Sequence, residues 1–212
     1  MSERDWDQHY ASGELPWDTG DPDRHLVELV EQGVIAPGRT LEVGCGTGTN
    51  AIWLASRGFE VHAVDVAPLA VAKAEAKRRA VGANVRFSVL DFMRDEPPAG
   101  PFDFAFDRGV LHVFDEVDDR ARFAERVAAL LQPRGQWLCL AGSTEGPPRE
   151  HGPPRRSARD LLRAVEPALE LVFLRSTTFD AELPSRAMAW VMLARSREVP
   201  AQPSTVFARV ET

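Results

Sequence analysis

Residues 40–50 read TLEVGCGTGTN, and this stretch decides the fold. A short apolar strand runs into three glycines at alternate positions, and a helix is predicted to begin directly after them, at Thr49 or Asn50. Glycines at such a junction let the backbone approach a bulky ligand where a Cβ atom would clash. The unpaired N–H groups of the first helical turn point to the same place. This pattern predicts a ligand-binding loop formed by Gly44, Gly46 and Gly48.

A second apolar strand, residues 59–65, ends at Asp65 and is followed by Val66. An acidic side chain at this point, roughly 20 residues after the glycine loop, suits the hydroxyls of a ribose. Asp65 also stands just before an Ala-Pro pair, where the role of helix N-cap is the structural alternative. The combination of loop and carboxylate predicts an adenosine-containing cofactor.

The spacing of the glycines separates two classes of cofactor. The dinucleotide fingerprint is G-x-G-x-x-G, whereas this loop reads G-x-G-x-G, with Thr49 at the place of the third fingerprint glycine. Glu42 precedes the loop, and a carboxylate there would repel a pyrophosphate and attract a cation. The spacing therefore disfavours a nicotinamide dehydrogenase, which remains an alternative.

The run from Glu42 to Gly48 resembles motif I of the class I S-adenosylmethionine (SAM) methyltransferases, whose signature is E/D-x-G-x-G-x-G. SAM carries a sulfonium and an ammonium group and no phosphate, which fits a carboxylate beside the loop. In that family an acidic residue after the third strand binds the adenine amino group, and an apolar neighbour packs on the ring. The resemblance gives these roles to Asp91 and Phe92. A turn aspartate is the alternative for Asp91.

Strand-like and helix-like patterns alternate from residue 40 onward, which predicts a parallel sheet with helices on both faces. Two strand-like runs at the end of the chain have no helix between them and predict an antiparallel pair. Together with the methyltransferase resemblance, the pattern predicts an α/β fold: a single Rossmann-like, doubly wound, mostly parallel seven-stranded sheet with an antiparallel final strand. The expected strands lie near 39–44, 59–65, 84–89, 102–107, 135–141, 168–177 and 187–195. The expected helices lie near 49–57, 67–81 and 118–131.

Three segments divide the chain. Residues 1–37 are expected to form an N-terminal extension and a candidate lid, and residues 38–195 the methyltransferase domain. Residues 196–212 are expected to form a tail.

Composition narrows the function. The chain has 212 residues and a net charge of −7, which favours one domain and argues against broad attraction to nucleic acid or anionic membranes. Its first residues lack the apolar core of a signal peptide, and no apolar run is long enough to span a bilayer. Cys45 and Cys139 lack metal-ligand spacing, so we expect reduced thiols, no metal site and a cytoplasmic protein.

The fourth strand leads into Asp107-Arg108-Gly109, with His112 shortly after. The D-R-G triplet resembles the thiopurine/thiol/halide methyltransferase family, as does Pro16-Trp17, although that family usually has two tryptophans close together there. The resemblance implies that Trp17 covers the cofactor, where a cation–π contact contributes about 0.5–2 kcal/mol. It implies that Arg108 orients an anionic acceptor or braces the site, while His112 is the candidate general base. The alternatives are an ordinary salt bridge for Arg108, no catalytic duty for His112 and simple anchoring by Trp17.

The predicted site thus has two catalytic candidates, Arg108 and His112. Its predicted cofactor contacts are Trp17, Glu42, Gly44, Gly46, Gly48, Thr49, Asn50, Asp65, Val66, Asp91, Phe92 and Asp107.

Four arginines lie in or just after a Gly/Pro-rich loop that follows the fifth strand, on the side where an acceptor must enter: Arg149, Arg155, Arg156 and Arg159. Guanidinium groups suit carboxylates and phosphates, so an anionic acceptor is one interpretation. The other is a solvated loop whose arginines pair with Glu145, Glu150 and Asp160.

The sequence as a whole predicts SAM-dependent methyl transfer to a small-molecule acceptor, with a thiol or another soft nucleophile slightly favoured. The N/D-P-P-Y/F motif of amino-methylating DNA enzymes is absent after the fourth strand, which further disfavours nucleic acid. The alternatives are O- or N-methylation of a small molecule and a SAM-binding protein that lacks transferase activity.

Overall fold

The computed structural model describes residues 5–13, 15–147, 152–180 and 187–197. They form a sheet of seven strands in the order β3-β2-β1-β4-β5-β7-β6. The strands are β1 (Arg39–Val43), β2 (Glu60–Asp65), β3 (Val85–Val89), β4 (Phe102–Arg108), β5 (Leu131–Gly142), β6 (Leu169–Thr178) and β7 (Met188–Ser196). The helices are α1 (Trp6–Ser12), α2 (Arg24–Glu31), α3 (Thr49–Ser56), α4 (Pro68–Val81), α5 (Val117–Leu130) and α6 (Ala158–Val165), with a 3₁₀ turn at Leu111–Val113.

The first five strands are parallel, and β7 runs antiparallel to both β5 and β6. This confirms the predicted α/β class and the antiparallel end of the sheet. Antiparallel neighbours can be joined by a short connection, whereas parallel neighbours need a crossover. The residues alone predict this edge correctly, since both runs are strand-like and no helical pattern stands between them.

Two apolar cores lie on the two faces of the sheet. Adjacent residues of β5 show the alternation, because Cys139 packs in one core and Leu138 in the other. Helices α5 and α6 cover the first face, and α2 and α3 cover the second. Both cysteines are free and buried. This arrangement brings the ends of β1, β2, β3 and β4 to one edge, where ligands bind in such sheets.

The three helices missing from the prediction are short. Helices α1, α2 and α6 have only 7 or 8 residues, too few for a sequence period to stand out. Each begins with a side-chain cap, in which Asp5, Asp23 or Ser157 accepts hydrogen bonds from backbone N–H groups of the first turn. The N-terminal extension therefore contains two capped helices. None of the helices within the described ranges is long and apolar enough to cross a membrane.

Strand β5 begins at Leu131, before the predicted start at 135. The intervening Gln-Pro-Arg-Gly is typical of a turn, and the pairing with β4 shifts register between Phe102 and Phe104. Arg134 adopts a φ of 64° in this irregular stretch. The strand continues through this stretch with an irregular register, as at a β-bulge.

Candidate functional site

The glycine loop, residues 44–48, carries the chain from β1 into α3. Gly48 occupies the N-cap of α3 with a φ of 81°, in the left-handed region. A Cβ atom there would lie 2.7 Å from Cζ of Phe87 and 2.8 Å from Cβ of Ala74. The backbone at Gly48 therefore packs tightly against Phe87 and Ala74, while the approach of the loop to a ligand stays a prediction.

Replacing Gly48 with alanine is expected to lower the free energy of unfolding by about 2–3 kcal/mol, because backbone strain adds to the collision. Gly58→Ala is the matched control, since Gly58 has a φ of 88° and no atom of the described residues within 4 Å of its Cβ position. That control should cost only about 1 kcal/mol of strain. Urea unfolding of both variants measures the difference. Equal losses would contradict the collision.

Asp65 ends β2 with its carboxylate against the glycine loop. Its Oδ2 accepts a hydrogen bond from the Gly46 N–H at 2.8 Å, and Oδ1 accepts one from the Ala67 N–H at 2.9 Å. Burial raises the pKa of Asp65 above its ordinary value, and these backbone hydrogen bonds oppose the rise. Asp65 thus caps the turn before α4 and also stands at the predicted ribose position. The next side chain, Val66, is 45% exposed and offers an apolar surface beside it.

Glu42 lies buried under the loop. Its Oε1 accepts a hydrogen bond from Nδ2 of Asn50 at 3.3 Å, while Oε2 has no hydrogen-bond partner among the described residues. Burial raises the pKa of Glu42 to about 8 and the charge of Asp65 adds to the rise, while the Asn50 hydrogen bond and, more weakly, the Ala51 N–H oppose it. A buried oxygen without a partner is costly. Glu42 therefore holds an acceptor oxygen for which none of the described residues supplies a regular hydrogen bond.

Asp91 and Phe92 follow β3. Asp91 Oδ1 accepts a hydrogen bond from the Met93 N–H at 2.9 Å, and Oδ2 lies 3.6 Å from Nε of Arg94. Asp91 therefore forms the turn named as its alternative role. Phe92 is buried in the core with its ring centroid 5.3 Å from that of Phe123. Their contacts with an adenine ring stay predictions.

Asp107 is fully buried at the end of β4. Its Oδ1 accepts from the N–H groups of Val110 and Leu111 at 3.1 and 3.2 Å, and Oδ2 accepts from Nε1 of Trp137 at 2.9 Å. Burial raises the pKa of Asp107 to about 6, while hydrogen bonds from Cys139 and from these donors oppose the rise. This geometry gives Asp107 the task of holding the following turn and favours it over the predicted contact with the cofactor.

The turn that Asp107 holds carries His112, which is buried. His112 Nδ1 accepts a hydrogen bond from the Gly142 N–H at 2.8 Å, and the ring meets that of Phe179 edge-on at 5.9 Å. A backbone N–H donates to Nδ1 only when that nitrogen carries a lone pair. The neutral ring therefore carries its proton on Nε2.

The N-terminal segment packs an aromatic cluster near the loop. The Trp17 ring lies 6.3, 6.0 and 6.4 Å from the rings of Trp6, His9 and Tyr10. Tyr10 Oη lies 3.0 Å from the position of a Cβ atom on Gly46. Trp6, distant from Trp17 in the sequence, thus becomes its neighbour in space because α1 folds the chain back. The sequence analysis did not identify Tyr10 as a neighbour of the glycine loop, because no motif lies near it in the sequence.

Polar contacts fix the same segment to the loop. Asp18 Oδ2 accepts from the Thr47 hydroxyl at 2.6 Å, and the Asp23 N–H donates to Oδ1 of Asn50 at 2.8 Å. Lys77 of α4 donates to the hydroxyls of Thr47 and Thr49. These contacts hold residues 17–23 against the loop, while opening of the segment as a lid stays a prediction.

The Arg108 guanidinium is engaged by protein acceptors. Nε donates to Oδ2 of Asp23 at 3.0 Å, Nη1 donates to the Trp17 carbonyl at 3.1 Å, and Nη2 donates to the Asp180 carbonyl. The side chain also lies over the Phe179 ring at 5.3 Å. Arg108 thus forms the salt bridge named as its alternative, and this geometry favours bracing over direct binding of an acceptor.

The arginines after β5 are engaged in a similar way. Arg155 donates to backbone carbonyls of the 143–147 loop, and Arg156 donates to the Phe114 carbonyl and the Asp115 carboxylate. Arg159 is exposed. Arg149 and Glu150 lie outside the described residues. Arg155 and Arg156 thus bind carbonyl groups and Asp115 instead of the carboxylates predicted for the solvated alternative.

The residues present fit a nucleoside ligand with a cationic tail. Asp65 and the exposed Val66 offer a carboxylate beside an apolar surface, and the buried Oε2 of Glu42 offers an acceptor to a cation. Between these groups, Gly44 packs against Val110, since a Cβ atom at Gly44 would lie 2.2 Å from Cγ2 of Val110. Glu42, Asp65 and the loop stay the residues predicted to hold SAM.

Comparison with known proteins agrees with this geometry. The chain is 34% identical over 151 residues to the probable thiol methyltransferase 2 of Arabidopsis thaliana, covering 70% of this chain and 65% of that protein. It is 29% identical over 177 residues to the 2-heptyl-1-hydroxyquinolin-4(1H)-one methyltransferase of Mycobacteroides abscessus, covering 82% of this chain and 73% of that one. The thiocyanate methyltransferase 1 of Brassica oleracea is 28% identical, with 66% and 62% covered. The chain thus spans just under two thirds of the two plant relatives.

Solved structures show the same architecture. A structure from work on the conversion of a disulfide bond into a thioacetal group during echinomycin biosynthesis matches with a TM-score of 0.79 at 25% identity, covering 91% of this chain and 90% of that one. The 1,6-didemethyltoxoflavin-N1-methyltransferase of Burkholderia thailandensis, with bound S-adenosylhomocysteine, matches with a TM-score of 0.73 at 22% identity over 92% and 86% of the chains. At 22% identity, the second match shows a shared fold and nothing more.

The family pattern decides the assignment, since the thiopurine S-methyltransferase pattern matches residues 1–182 and thereby includes the N-terminal segment, the glycine loop and Asp107-Arg108-Gly109. The chain belongs to the thiopurine S-methyltransferase family, within the class I SAM-dependent methyltransferases.

Proposed function

We propose that this SAM-dependent methyltransferase methylates the sulfur, or a similarly soft atom, of a small-molecule acceptor. The observation that carries the proposal is the hydrogen bond from the Gly142 N–H to Nδ1 of His112. It leaves the predicted general base with its proton on Nε2, the nitrogen on the side of Gly109. A base in this state must first give up a proton or its bond to Gly142. A thiolate or a halide-like anion needs no such base.

When bound, SAM supplies an electrophilic methyl group that a nucleophile displaces in line. The protein's part is to align the two reactants and to exclude water, which lowers the barrier without proton chemistry. Asp65 binds the ribose hydroxyls of SAM, and Glu42 binds its ammonium group. Trp17 and its aromatic neighbours cover the loop from the N-terminal side, and the Asp107-capped turn forms the wall that carries His112.

The relatives support both this proposal and its rival. Two of them are named for thiol and thiocyanate methylation, and thiocyanate is a soft anion. The hydroxyquinolinone methyltransferase favours a second candidate, a hydroxyl acceptor, for which His112 is the candidate base. A preference for anionic acceptors rests on thiocyanate and on the predicted arginine cluster, but Arg155 and Arg156 already bind protein groups.

We expect turnover with 2-mercaptobenzoate and its methyl ester, and little turnover with the matched phenol and aniline, because the thiols ionise most readily of the three. Release of S-adenosylhomocysteine from SAM is measured for each compound at one pH. Turnover of the phenol alone would contradict the soft-nucleophile proposal and favour the hydroxyl acceptor. Binding of S-adenosylhomocysteine without turnover of any acceptor would favour a protein that binds SAM only. The ratio of kcat/KM between the acid and the ester tests the anionic acceptor.

A further inference from the structure

Arg108 joins two segments that are far apart in the sequence. Its three nitrogens donate to Asp23 and Trp17 of the N-terminal segment and to Asp180 after β6. The ion pair is shielded from water, because the Arg108 side chain is 13% exposed and that of Asp23 is 1% exposed. Breaking one side of such a buried pair is costly, since the other charge is left unpaired.

Asp23 has three further contacts. Its Oδ1 accepts from the N–H groups of His25 and Leu26 and so caps α2, while its own N–H donates to Oδ1 of Asn50. The same Asn50 amide donates through Nδ2 to Glu42, whose second carboxylate oxygen has no regular hydrogen bond from the described residues. A continuous chain of hydrogen bonds therefore runs from the loop to Arg108.

A second set of contacts ties α2 to the segment after β6. Arg24 donates to the Asp180 carboxylate at 2.7 Å and to Thr177 and Thr178, and His25 Nε2 lies 2.7 Å from the Thr177 hydroxyl. The start of α2 is thus fixed to the end of β6 at several points. These contacts involve α2 and do not include Trp17. Arg108 makes the contact with Trp17, because its Nη1 donates to the Trp17 carbonyl.

We propose that the Arg108–Asp23 pair is a latch that couples the glycine loop to closure of the N-terminal segment over the site. Arg108 is then a positioning residue, and it acts on Trp17 and Asp180 instead of on an anionic acceptor. Asp23 relays the state of Glu42, through Asn50, to the same latch. Coupling of this kind is reciprocal, so a ligand at the loop should order the segment and the latch should strengthen the binding of the ligand.

The variants Arg108→Lys and Asp23→Asn test the latch. Lysine keeps the charge but cannot reach three acceptors, and asparagine keeps an oxygen for the α2 cap but removes the charge. In each variant we expect S-adenosylhomocysteine to bind roughly tenfold more weakly or worse. Protection of the bond after Trp17 from chymotrypsin by that ligand should be lost. The double variant should bind S-adenosylhomocysteine no more weakly than the more weakly binding single variant, because both changes break the same ion pair.

Arg195→Lys is the matched control, since Arg195 forms a two-pronged pair with Glu170 at the other side of the sheet. It should leave ligand affinity and protection unchanged. Melting temperatures check that the variants fold, and if one fails to fold, the other still removes the pair.

Activity with 2-mercaptobenzoate and its ester separates the latch from direct acceptor binding. A latch predicts the same proportional loss of kcat/KM for both compounds in Arg108→Lys. A loss confined to the acid, with ligand affinity and protection intact, would overturn the proposal and make Arg108 an acceptor-binding residue. Undiminished protection in both variants would overturn it as well. The affinity and protection measurements need no turnover, so they stand even if the proposed acceptor class fails.

Discussion

Asp65→Ala is expected to weaken binding of S-adenosylhomocysteine by about 2–3 kcal/mol, roughly 30- to 150-fold. The change removes the predicted partner of the ribose hydroxyls and, at the same time, the acceptor of the Gly46 and Ala67 N–H groups. Loss of a hydrogen bond to a charged group costs about 1.5–3 kcal/mol, and a relaxed loop adds to that cost. Titration calorimetry at pH 7 measures the affinity directly.

Two comparisons make this result interpretable. Asp160→Ala is a control for the loss of a helix cap, since Asp160 accepts from the Ser157 N–H and hydroxyl at the start of α6. It should reduce stability without changing the affinity for S-adenosylhomocysteine. NAD should not bind to the wild-type enzyme. An unchanged affinity in Asp65→Ala would contradict the assignment of Asp65, whereas binding of NAD in place of S-adenosylhomocysteine would contradict the cofactor.

The features predicted correctly are those that depend on residues adjacent in the sequence. Short contiguous runs of residues mark the glycine loop, the strand that ends at Asp65 and the reversed final strands. Each of these features can therefore be recognised without knowing its contacts in space. The class of cofactor also follows from local signals, since Glu42 and the spacing of the glycines both stand in one stretch.

The features that the sequence did not reveal depend on contacts between distant residues. Asp23 and Arg108 are separated by 85 positions, and no periodicity in one chain links them. Arg155 was predicted to bind an anionic acceptor or a carboxylate of its own loop, but its acceptors are backbone carbonyls, which every residue possesses. Asp107 was predicted to face the cofactor because it ends a strand at the correct edge. Its burial and the Trp137 indole that binds it are properties of the packed core.

The second large effect concerns Glu42 and pH. In the ligand-free protein, burial raises the pKa of Glu42 to about 8 from an ordinary 4.5, so the neutral carboxyl is the favoured form in the folded state. The stability linked to this carboxyl is fully present below pH 4.5 and is lost as the pH rises through 8. Each unit by which the folded-state pKa exceeds the unfolded-state pKa changes the free energy of unfolding by about 1.4 kcal/mol. We therefore expect the ligand-free protein to lose a few kcal/mol of stability between about pH 4.5 and pH 8, with little further loss above pH 8, and Glu42→Gln to reduce that loss.

Ligand binding should show the opposite dependence on pH. The ammonium group of S-adenosylhomocysteine can donate to the unpaired Oε2 of Glu42, and a cation beside a carboxylate lowers its pKa. Binding then releases a proton, so the affinity should rise up to about tenfold for each pH unit until it levels off near pH 8. Calorimetry in two buffers of different ionisation enthalpy at pH 7 would measure the released proton.

Glu42→Gln separates this linkage from other titrating groups. The glutamine keeps the size and the Asn50 contact but cannot lose a proton, so the affinity of this variant should be low and nearly independent of pH between about 6 and 8. Glu170→Gln is the control, because Glu170 pairs with Arg195 on the surface of the sheet far from the loop. That variant should keep the wild-type pH profile. A wild-type profile in Glu42→Gln would mean that another group, such as Asp107 with a pKa of about 6, releases the proton, and the unpaired oxygen of Glu42 would then have no part in binding the cation.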